Sequence, residues 1–595
     1  MAGEPVFAIN SFAHDAGVAA VCDGEVLFAI EEERLNREKK TARFPEMGLR
    51  EMSRRLGLPF SKMPTLAFPW RPRRLLRTIA WEVAKDFPGA LSLVRDEASP
   101  NLNVRSVGRF CLLGRTLNRR LGWQPRIVHV KHHLAHAANC FCHCPFDDAA
   151  IVVMDGFGDD ASVAVFHGRG DDIRPLWKNR FFDSLGMFYA AITRHLGWRT
   201  LHDEGSVMAL AAYGSERLVP QFRRLVHLLP EGDFRMDRRW LSFARYGEMQ
   251  MVTPAFQRAF GPARKPGDPI EDGHRDLARA VQAVTEEVIL HIARAARRRT
   301  GSRNLCVAGG VALNCQANAR LAREAGFENV YVPSSPSDAG TPLGAALVAD
   351  GCLRRGRGAG YPSPFTGGRY TREDCIAALS VAGVPWRQID DPAGLAARAI
   401  AEGAVIGWFQ GRCEAGPRAL GNRSILADPR RPDVPDRLNA DIKCRPAFRP
   451  YAPAVLAPHV GECFEDVADS PYMSFALRVR PAWRVRVPAV VHRDGSARVQ
   501  TVHADLYPQF YALIEAFRRL TGVPMVLNTS FNRRDEPIVH SPADAVGAFR
   551  RTGLDLLFIN DLVAWKPDSR WSALGVSPPR RGSNRGASSA GDRPQ

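Results

Sequence analysis

Apolar residues near the N-terminus form short runs separated by polar turns, a pattern that predicts a β-meander. The pair Asp23-Gly24 stands between two of the runs, as it does in a tight hairpin. The same pattern of apolar runs and polar turns recurs further along the chain, with a Gly-rich turn at 168–170. The predicted strands are 6–10, 17–22 and 25–30 in the first copy, and 149–154 and 162–167 in the second.

Each copy places a polar loop between its first two strands. The first loop holds His14 and Asp15, and the second runs from Asp155 to Asp160. A duplicated unit of this kind is expected in a two-lobed actin-like fold, where the two loops face each other across a cleft. Two unrelated hairpins remain the alternative at this point.

The following segment supplies alternating helices and strands. Apolar residues at helical spacing predict a long helix over 276–299, and an apolar strand over 304–308 runs directly into Gly309 and Gly310. A helix follows from Asn314 to residue 323, and a further strand, 329–332, leads to a loop containing Asp338. Glycine between a strand and a helix lets the backbone approach a nucleotide, so we expect Gly309, Gly310 and Asn314 to bind one; plain turns remain the alternative.

Residues 351–370 are rich in Gly, Pro and Arg and lack an apolar period, which predicts a linker between domains. We therefore expect one domain at 1–350 and a second at 371–566. Residues 567–595 are rich in Ser, Gly, Pro and Arg and predict a disordered tail. The alternation of strands and helices indicates an α/β first domain and an α+β second domain.

Composition narrows the class of protein. The chain has 595 residues, of which 45% are hydrophobic and 24% charged, as in soluble globular proteins. No run of about 18 apolar residues and no export signal is present, so we expect a cytoplasmic protein without a membrane partner. The net charge of +18 suits nucleic acid or small anions. Because no nucleic-acid-binding motif accompanies it, we favour small anions.

His132 and His136 are four residues apart, so on a helix both imidazoles lie on one face and can share a metal ion. Asp155 and Asp338 lie in loops predicted to border the same cleft. Two His and two Asp form a ligand set that suits Fe(II), Mn(II) or Zn(II), whereas capped or surface histidines are the alternative. His14, followed by a carboxylate, is a candidate general base; a loop histidine bonded to backbone is the alternative.

Cations concentrate at two other places. The run from Glu31 to Lys40 predicts a solvated helix, from which Lys39 would reach a phosphate. The second domain places several Arg and Lys in Gly- and Pro-rich segments, which suits a rigid site for phosphate or carbonyl groups. Its candidate ligands are Arg418, Lys443, Arg449, Arg498 and Asn528.

Together these motifs resemble the ATP-dependent O-carbamoyltransferases, the family of the nodulation-factor, cephalosporin and tobramycin carbamoyltransferases. The resemblance extends over most of the chain and is most specific at GPRALGNRSILADPR (416–430). Further matches are His14-Asp15, HHLAHA (132–137), DGFG (155–158), AGGVALN (308–314), SDAG (337–340), FRPYAP (448–453) and NTSFN (528–532).

The resemblance implies an actin-like (ASKHA) N-terminal domain, similar to threonylcarbamoyl transferases, and a YrdC-like C-terminal domain. It implies that Arg418, Lys443, Arg449, Arg498 and Asn528 bind carbamoyl phosphate and ATP to form carbamoyl-adenylate. Transfer to a small-molecule hydroxyl would take place in the first domain, with Lys39 near the substrate. There His132, His136, Asp155 and Asp338 would hold a divalent metal, Fe(II) in preference to Mn(II) or Mg(II), and His14 would assist deprotonation.

This sequence departs from the family pattern at two positions. Ser206 stands where Lys is frequent, and Pro446 replaces an acidic residue before FRP. Two other functions stay open, a tRNA threonylcarbamoyl-type transferase and a noncatalytic nucleotide- or metal-binding scaffold. GPRALGNRS argues against the first and His14 against the second. The sequence does not indicate the acceptor or the oligomeric state.

Overall fold

A computed structural model describes residues 3–87, 104–351, 361–466, 469–567 and 569–573. Two five-stranded sheets occupy the N-terminal region, defined here as residues 6–350. The first contains β1 (Val6–Asn10), β2 (Gly17–Cys22), β3 (Glu25–Glu31), β4 (Thr65–Phe68) and β5 (Arg126–His129). The second contains β6 (Asp148–Met154), β7 (Val163–Arg169) and β8 (Asp172–Lys178) and, after the hairpin of β9 (Val226–Leu228) and β10 (Phe234–Met236), β11 (Asn304–Ala308) and β12 (Asn329–Tyr331).

The two five-stranded sheets share one topology. In the first the order is β3-β2-β1-β4-β5, and in the second it is β8-β7-β6-β11-β12. The first three strands of each sheet form an antiparallel meander, and the last two continue it in parallel. This repetition confirms the predicted duplication and gives the N-terminal region the two-lobed actin-like fold.

Helices of the N-terminal region cover these sheets. The long helix α12 (Asp272–Thr300) packs on β6, and α14 (Thr341–Asp350) packs on α6 (His132–Phe141) and across β1 and β2. The helices are α1 (Glu33–Asn36), α2 (Glu46–Leu56), α3 (Pro72–Lys85), α4 (Val104–Cys111), α5 (Leu113–Leu121), α6 (His132–Phe141), α7 (Leu185–His195), α8 (Glu204–Leu210), α9 (Val219–Phe222), α10 (Phe243–Tyr246), α11 (Pro254–Phe260), α12 (Asp272–Thr300), α13 (Cys315–Glu324) and α14 (Thr341–Asp350).

The C-terminal region, residues 361–566, contains a nine-stranded mixed sheet of order β13-β21-β20-β14-β15-β19-β16-β18-β17. This mixed sheet with its helices agrees with the α+β architecture expected for the region, and its likeness to YrdC stays a prediction. Its strands are β13 (Trp386–Gln388), β14 (Ile406–Phe409), β15 (Arg423–Ala427), β16 (Ala452–Leu456), β17 (Phe475–Arg478), β18 (Ser496–Val502), β19 (Met525–Ser530), β20 (Leu556–Ile559) and β21 (Leu562–Trp565). Its helices are α15 (Arg372–Val381), α16 (Pro392–Ala401), α17 (Val434–Arg437), α18 (Val460–Cys463), α19 (Pro481–Arg486), α20 (Pro508–Thr521) and α21 (Pro542–Arg551).

The charged run from Glu31 to Lys40 is not the predicted solvated helix. Only Glu33–Asn36 is helical, and Arg34 is 1% exposed. The Arg34 guanidinium donates to the carbonyl of Gly416 at 2.6 Å, while the Gly416 N–H donates to the Glu31 carboxylate. Glu31 and Arg34 are buried because they pair with each other and with the backbone of Gly416, and these contacts join the two regions.

Two predicted segments can be compared only in part with the structure. Residues 352–360 of the expected linker and 574–595 of the expected tail lie outside the described residues. The predicted start of the tail at 567 is too early, because Arg570–Ala573 form a 3-10 turn and Trp571 is buried. The boundary between the domains stays a prediction. Within the described part of the chain, every helix is too short or too polar to cross a membrane.

Candidate metal and anion-binding sites

The predicted metal ligands converge at one point between the two lobes. His132 and His136 lie on the first turns of α6, Asp155 follows β6, and Asp338 begins the turn before α14. One candidate ligand atom from each residue lies within 4.8 Å of all the others. The Nε2 atom of His136 is 3.0 Å from Asp155 Oδ2 and 3.2 Å from Asp338 Oδ1. All four side chains are buried, and the group His132, His136, Asp155 and Asp338 is named here the metal cluster.

Backbone carbonyls orient both imidazole rings. The Nδ1–H of His132 donates to the Pro69 carbonyl at 3.2 Å, and that of His136 donates to the Pro336 carbonyl at 3.1 Å. When a ring is neutral, as metal binding requires, this tautomer leaves a lone pair on its Nε2, and the two Nε2 atoms are 3.2 Å apart. The outer nitrogens are held as in histidines that ligate metals.

Two buried carboxylates at this point require a cation. Burial opposes ionisation of His132, but Asp338 and Asp155 outweigh it and raise the pKa of its imidazole to about 10. The pKa of Asp155 is lowered despite burial, because His132 and His136 donate to it. A divalent ion would supply the same compensation, and the two imidazole and two carboxylate donors fit Fe(II), Mn(II) or Zn(II).

Backbone amides hold the other oxygen of Asp155. Its Oδ1 accepts from Gly156 N at 2.8 Å and from Gly310 N at 3.3 Å. The neighbouring Gly309 has a φ of 90°, and a Cβ there would lie 2.1 Å from the Met154 carbonyl oxygen. Only glycine allows the turn after β11 to approach the ligand loop this closely.

His14 lies at the edge of the metal cluster. Its Nε2 is 3.8 Å from Asp338 Oδ2, and its Nδ1 is 3.4 Å from Asp15 Oδ2. Burial opposes the imidazolium, but Asp338 and Asp15 raise the pKa of His14 to about 9. The Ser337 hydroxyl donates to Asp15 at 3.3 Å, so the loops of both lobes meet here as the sequence predicts.

The three residues predicted to bind a nucleotide differ in their surroundings. Gly309 and Gly310 form the start of the turn beside Asp155. Asn314 caps α13, with its Oδ1 accepting from Ala317 N at 3.1 Å, and exchanges two hydrogen bonds with Gln282. The Asn314 side chain is therefore engaged within the protein, and a nucleotide contact there stays a prediction.

Arg418, Arg449 and Arg498 form the centre of a cationic cluster in the C-terminal region, named here the arginine cluster. Burial and mutual repulsion lower the pKa of Arg418, and the same two causes lower that of Arg449. Among the described residues, no carboxylate lies within salt-bridge distance of these three side chains, and Arg498 Nε is buried without a hydrogen-bond partner. Such crowding of like charges favours a bound polyanion.

Lys443 and Asn528 lie beside this cluster with fixed orientations. Lys443 Nζ donates to Asn532 Oδ1 at 2.8 Å and to Ser530, so it holds the NTSFN segment. Asn528 Nδ2 donates to Gln500 Oε1 at 2.9 Å and to the Ala419 carbonyl at 3.2 Å. Its Oδ1 is buried and has no partner within the described chain. The network therefore leaves the Asn528 side chain fixed with one unused acceptor.

The paired lysines after α1 diverge. Lys39 donates to the Arg534 carbonyl at 2.7 Å, on the side of the arginine cluster. Lys40, which sequence analysis did not select, lies among Asp15, Glu204 and Asp338; burial lowers its pKa, but these carboxylates raise it above the usual value. A positive φ of 54° at Lys40 turns the backbone between them. The adjacent lysines Lys39 and Lys40 were the only feature of the sequence that pointed to this residue.

One turn connects the metal cluster with the arginine cluster. Gly310–Leu313 begins at Gly310, whose N–H donates to Asp155, and ends at Leu313, whose carbonyl accepts from Arg418 Nη2 at 3.4 Å. On the other side, a Cβ on Gly416 would lie 2.2 Å from the Ser334 carbonyl oxygen, four residues before Asp338. The two sites are therefore neighbours across the interface of the regions.

Comparison with known proteins agrees with this two-part architecture. Residues 6–347 match the family "Carbamoyltransferase N-terminus" and residues 397–566 match "Carbamoyltransferase C-terminus". Nodulation protein NolNO of Sinorhizobium fredii is 36% identical, covering 96% of this chain and 82% of that protein. Nodulation protein NolO of Bradyrhizobium diazoefficiens is 39% identical, covering 76% and 82%.

Among solved structures, full-length HypF in its phosphate- and nucleotide-bound form is 13% identical, with a TM-score of 0.30 over 59% of this chain and 55% of that one. The assignment depends instead on the two sequence families and on relatives that match over most of their length. The chain belongs to the carbamoyltransferase family.

Proposed function

We propose that this protein is an ATP-dependent O-carbamoyltransferase with two reaction centres. In the arginine cluster, hydrolysis of carbamoyl phosphate gives carbamate and phosphate, and a carbamate oxygen attacks the α-phosphorus of ATP. That attack forms carbamoyl-adenylate and releases pyrophosphate. At the metal cluster, the hydroxyl of a small-molecule acceptor attacks the carbamoyl carbon, giving the carbamate ester and AMP.

The observation that carries the proposal is the junction of two unlike sites by the turn Gly310–Leu313. One end of the turn contacts a metal-ligand set, and the other contacts Arg418, in a cluster without carboxylate partners among the described residues. A noncatalytic metal scaffold requires only the first site. An activation step that releases pyrophosphate requires the second, because it concentrates several phosphate charges in one place.

Within the arginine cluster each group has a distinct part in the proposed reaction. The guanidinium groups of Arg418, Arg449 and Arg498 bind phosphate oxygens and offset their charge. The free Oδ1 of Asn528 accepts an N–H of the carbamoyl group, a donor that acetyl phosphate lacks. Lys443 fixes the NTSFN segment and reaches the phosphates only if some of its present contacts break.

At the transfer site the chain positions the acceptor and moves one proton. His14, held between Asp15 and Asp338, in its neutral form takes the proton of the acceptor hydroxyl as the new C–O bond forms. A divalent metal on Asp338 would offset the carboxylate charge that raises the pKa of His14, and would thereby favour this neutral form. Lys40 supplies positive charge on the same side. A divalent metal held by His132, His136, Asp155 and Asp338 would offset negative charge on the phosphate that leaves as AMP.

The proposal is tested by incubating the purified protein with ATP, Mn(II) and carbamoyl phosphate, without an acceptor. We expect pyrophosphate release that depends on carbamoyl phosphate, together with a mass corresponding to carbamoyl-adenylate. Acetyl phosphate is the matched control and should give neither product. Absence of carbamoyl phosphate-dependent pyrophosphate with either Fe(II) or Mn(II) would contradict the proposal.

A further inference from the structure

A large basic groove lies on the N-terminal region, apart from both sites described above. It has a volume of about 1120 Å³ and is lined by α3, the end of β5, and the segment that follows β8. Sites for drug-sized ligands occupy about 300–1,000 Å³, so the groove accommodates a molecule of oligosaccharide size.

Positive charge dominates the lining. Asp160 pairs with Arg74 and Lys178, and Glu82 pairs with Lys85. Four further arginines line the groove without a carboxylate at salt-bridge distance among the residues described. They are Arg71, Arg73, Arg77 and Arg180.

The arrangement of these arginines opposes helix stability. Arg73 and Arg77 are four residues apart on α3, where like charges repel. Arg71 and Arg73 lie at the N-terminus of the same helix, whose macrodipole disfavours cations. The exposed indole of Trp81 adds apolar surface to the groove, and the Lys85 ammonium lies over one of its faces, 5.3 Å from the ring centroid. A bound anion would offset the electrostatic cost.

The groove is connected with the metal cluster by two contacts. Trp70 stacks on His132 at 4.0 Å and on Phe110, which lines the groove, at 5.4 Å. The Asp159 carboxylate accepts from Arg71 N at 2.8 Å and from His132 N at 2.9 Å. A ligand that moves Arg71 therefore acts on the backbone that positions a metal ligand.

We propose that this groove binds a saccharide-sized molecule carrying sulfate or phosphate groups. Arg73 and Arg77 bind the oxyanions, and Trp81 packs on the saccharide. The anion is part of the acceptor or a free ligand, and both present the same chemistry. The identification of the ligand as the acceptor rests on the proposed function, whereas binding of an anionic saccharide to the groove does not require the carbamoyl reaction.

The test measures binding to the ATP-saturated protein, in which the arginine cluster is occupied. Two probes are titrated by calorimetry, a sulfated heparin-derived tetrasaccharide for an acceptor-borne anion and inorganic tripolyphosphate for a free one. The groove variant is Arg73→Gln/Arg77→Gln. The control Arg174→Gln/Arg235→Gln removes the same charge from exposed positions outside the groove.

We expect the tetrasaccharide to bind the wild-type protein, with a Kd at least tenfold weaker in the groove variant and within twofold in the control. Binding of tripolyphosphate without binding of the tetrasaccharide would overturn the proposal. Equal loss in both variants, or no binding of either probe to wild type, would overturn the proposal. Tighter binding of a 12-nucleotide single-stranded RNA than of either probe, lost in the groove variant, would also overturn it. Carbamoyl phosphate-dependent pyrophosphate release, expected to be unchanged in the groove variant, tests the proposed function separately.

Discussion

Buried charge is balanced in different ways in the metal cluster and in the arginine cluster. Around His132 and His136 the chain supplies two carboxylates, and backbone groups satisfy the outer ring nitrogens. Around Arg498 the described residues supply further cations and no paired carboxylate. At the first site protonated histidines balance the carboxylates until a metal ion replaces their protons, whereas the second site requires an anion from outside the chain.

Arg34 adds a third case, because it is buried but fully paired. It contacts Glu31, Glu33 and the Gly416 carbonyl. Burial alone does not indicate the role of an arginine. The partners that the chain provides for its guanidinium group do indicate that role. The paired arginine joins the two regions, and we propose that the unpaired arginines bind phosphate.

The largest expected effect concerns stability. Arg34→Met leaves Glu31 buried without its guanidinium partner, so we expect a loss of about 3–5 kcal/mol in the free energy of unfolding. Urea denaturation followed by circular dichroism measures it. The control Arg43→Met removes an exposed pair with Glu38 and should cost less than about 1 kcal/mol. Equal losses in the two variants would show that Arg34 is not a structural link.

Arg498→Gln should behave in the reverse manner. Removing a cation from a repulsive cluster should not lower the unfolding midpoint of the ligand-free protein. It does remove a guanidinium group that donates hydrogen bonds to phosphate. We expect carbamoyl phosphate-dependent ATP–pyrophosphate exchange to fall about 10²–10³-fold. Arg493→Gln, exposed on the loop before β18, is the control and should retain exchange. A destabilised Arg498→Gln protein with normal exchange would show that Arg498 stabilises the fold and does not bind phosphate.

His136→Ala tests the opposite site. We expect Mn(II) affinity, followed by electron paramagnetic resonance, to weaken by at least about a hundredfold because one of four ligands is lost. ATP–pyrophosphate exchange should stay within twofold, since the arginine cluster is intact. His167→Ala, whose ring pairs with Asp148 at 2.8 Å away from the cluster, is the control. Unchanged Mn(II) affinity in His136→Ala would exclude the assigned ligand set.

A smaller effect is expected from Asn528→Asp. A carboxylate cannot donate to both Gln500 Oε1 and the Ala419 carbonyl, and it repels phosphate. We expect KM for carbamoyl phosphate in the exchange reaction to rise about tenfold, with a smaller change for ATP. Thr529→Ser, next to it on β19, serves as the control. An equal rise of both KM values would argue against recognition of the carbamoyl group by Asn528.

The sequence predicted the N-terminal fold well because its strands are local apolar runs with clear turns. The strand at 17–22 has the predicted bounds, and the helix at 276–299 extends only a few residues further, as Asp272–Thr300. The metal cluster was also predictable, since the spacing of His132 and His136 places both rings on one helix face.

The errors concern long-range partners. The run from Glu31 to Lys40 has the composition of a solvated helix, and only the distant Gly416 explains why Arg34 is buried. Likewise, Lys39 and Lys40 are equivalent in sequence, and a single positive φ directs them to different surroundings. The unpaired state of Arg498 depends on which acidic residues the fold brings near, which local patterns do not encode.

The central claim is that activation and transfer take place at separate sites, and His14→Asn tests it most directly. The account predicts normal carbamoyl phosphate-dependent ATP–pyrophosphate exchange in this variant, because His14 contacts Asp15 and Asp338 rather than the arginine cluster. With an acceptor identified from a panel of hydroxyl compounds, it predicts loss of the carbamoylated product. Loss of both exchange and product in a folded, metal-loaded His14→Asn protein would contradict the division between the two sites.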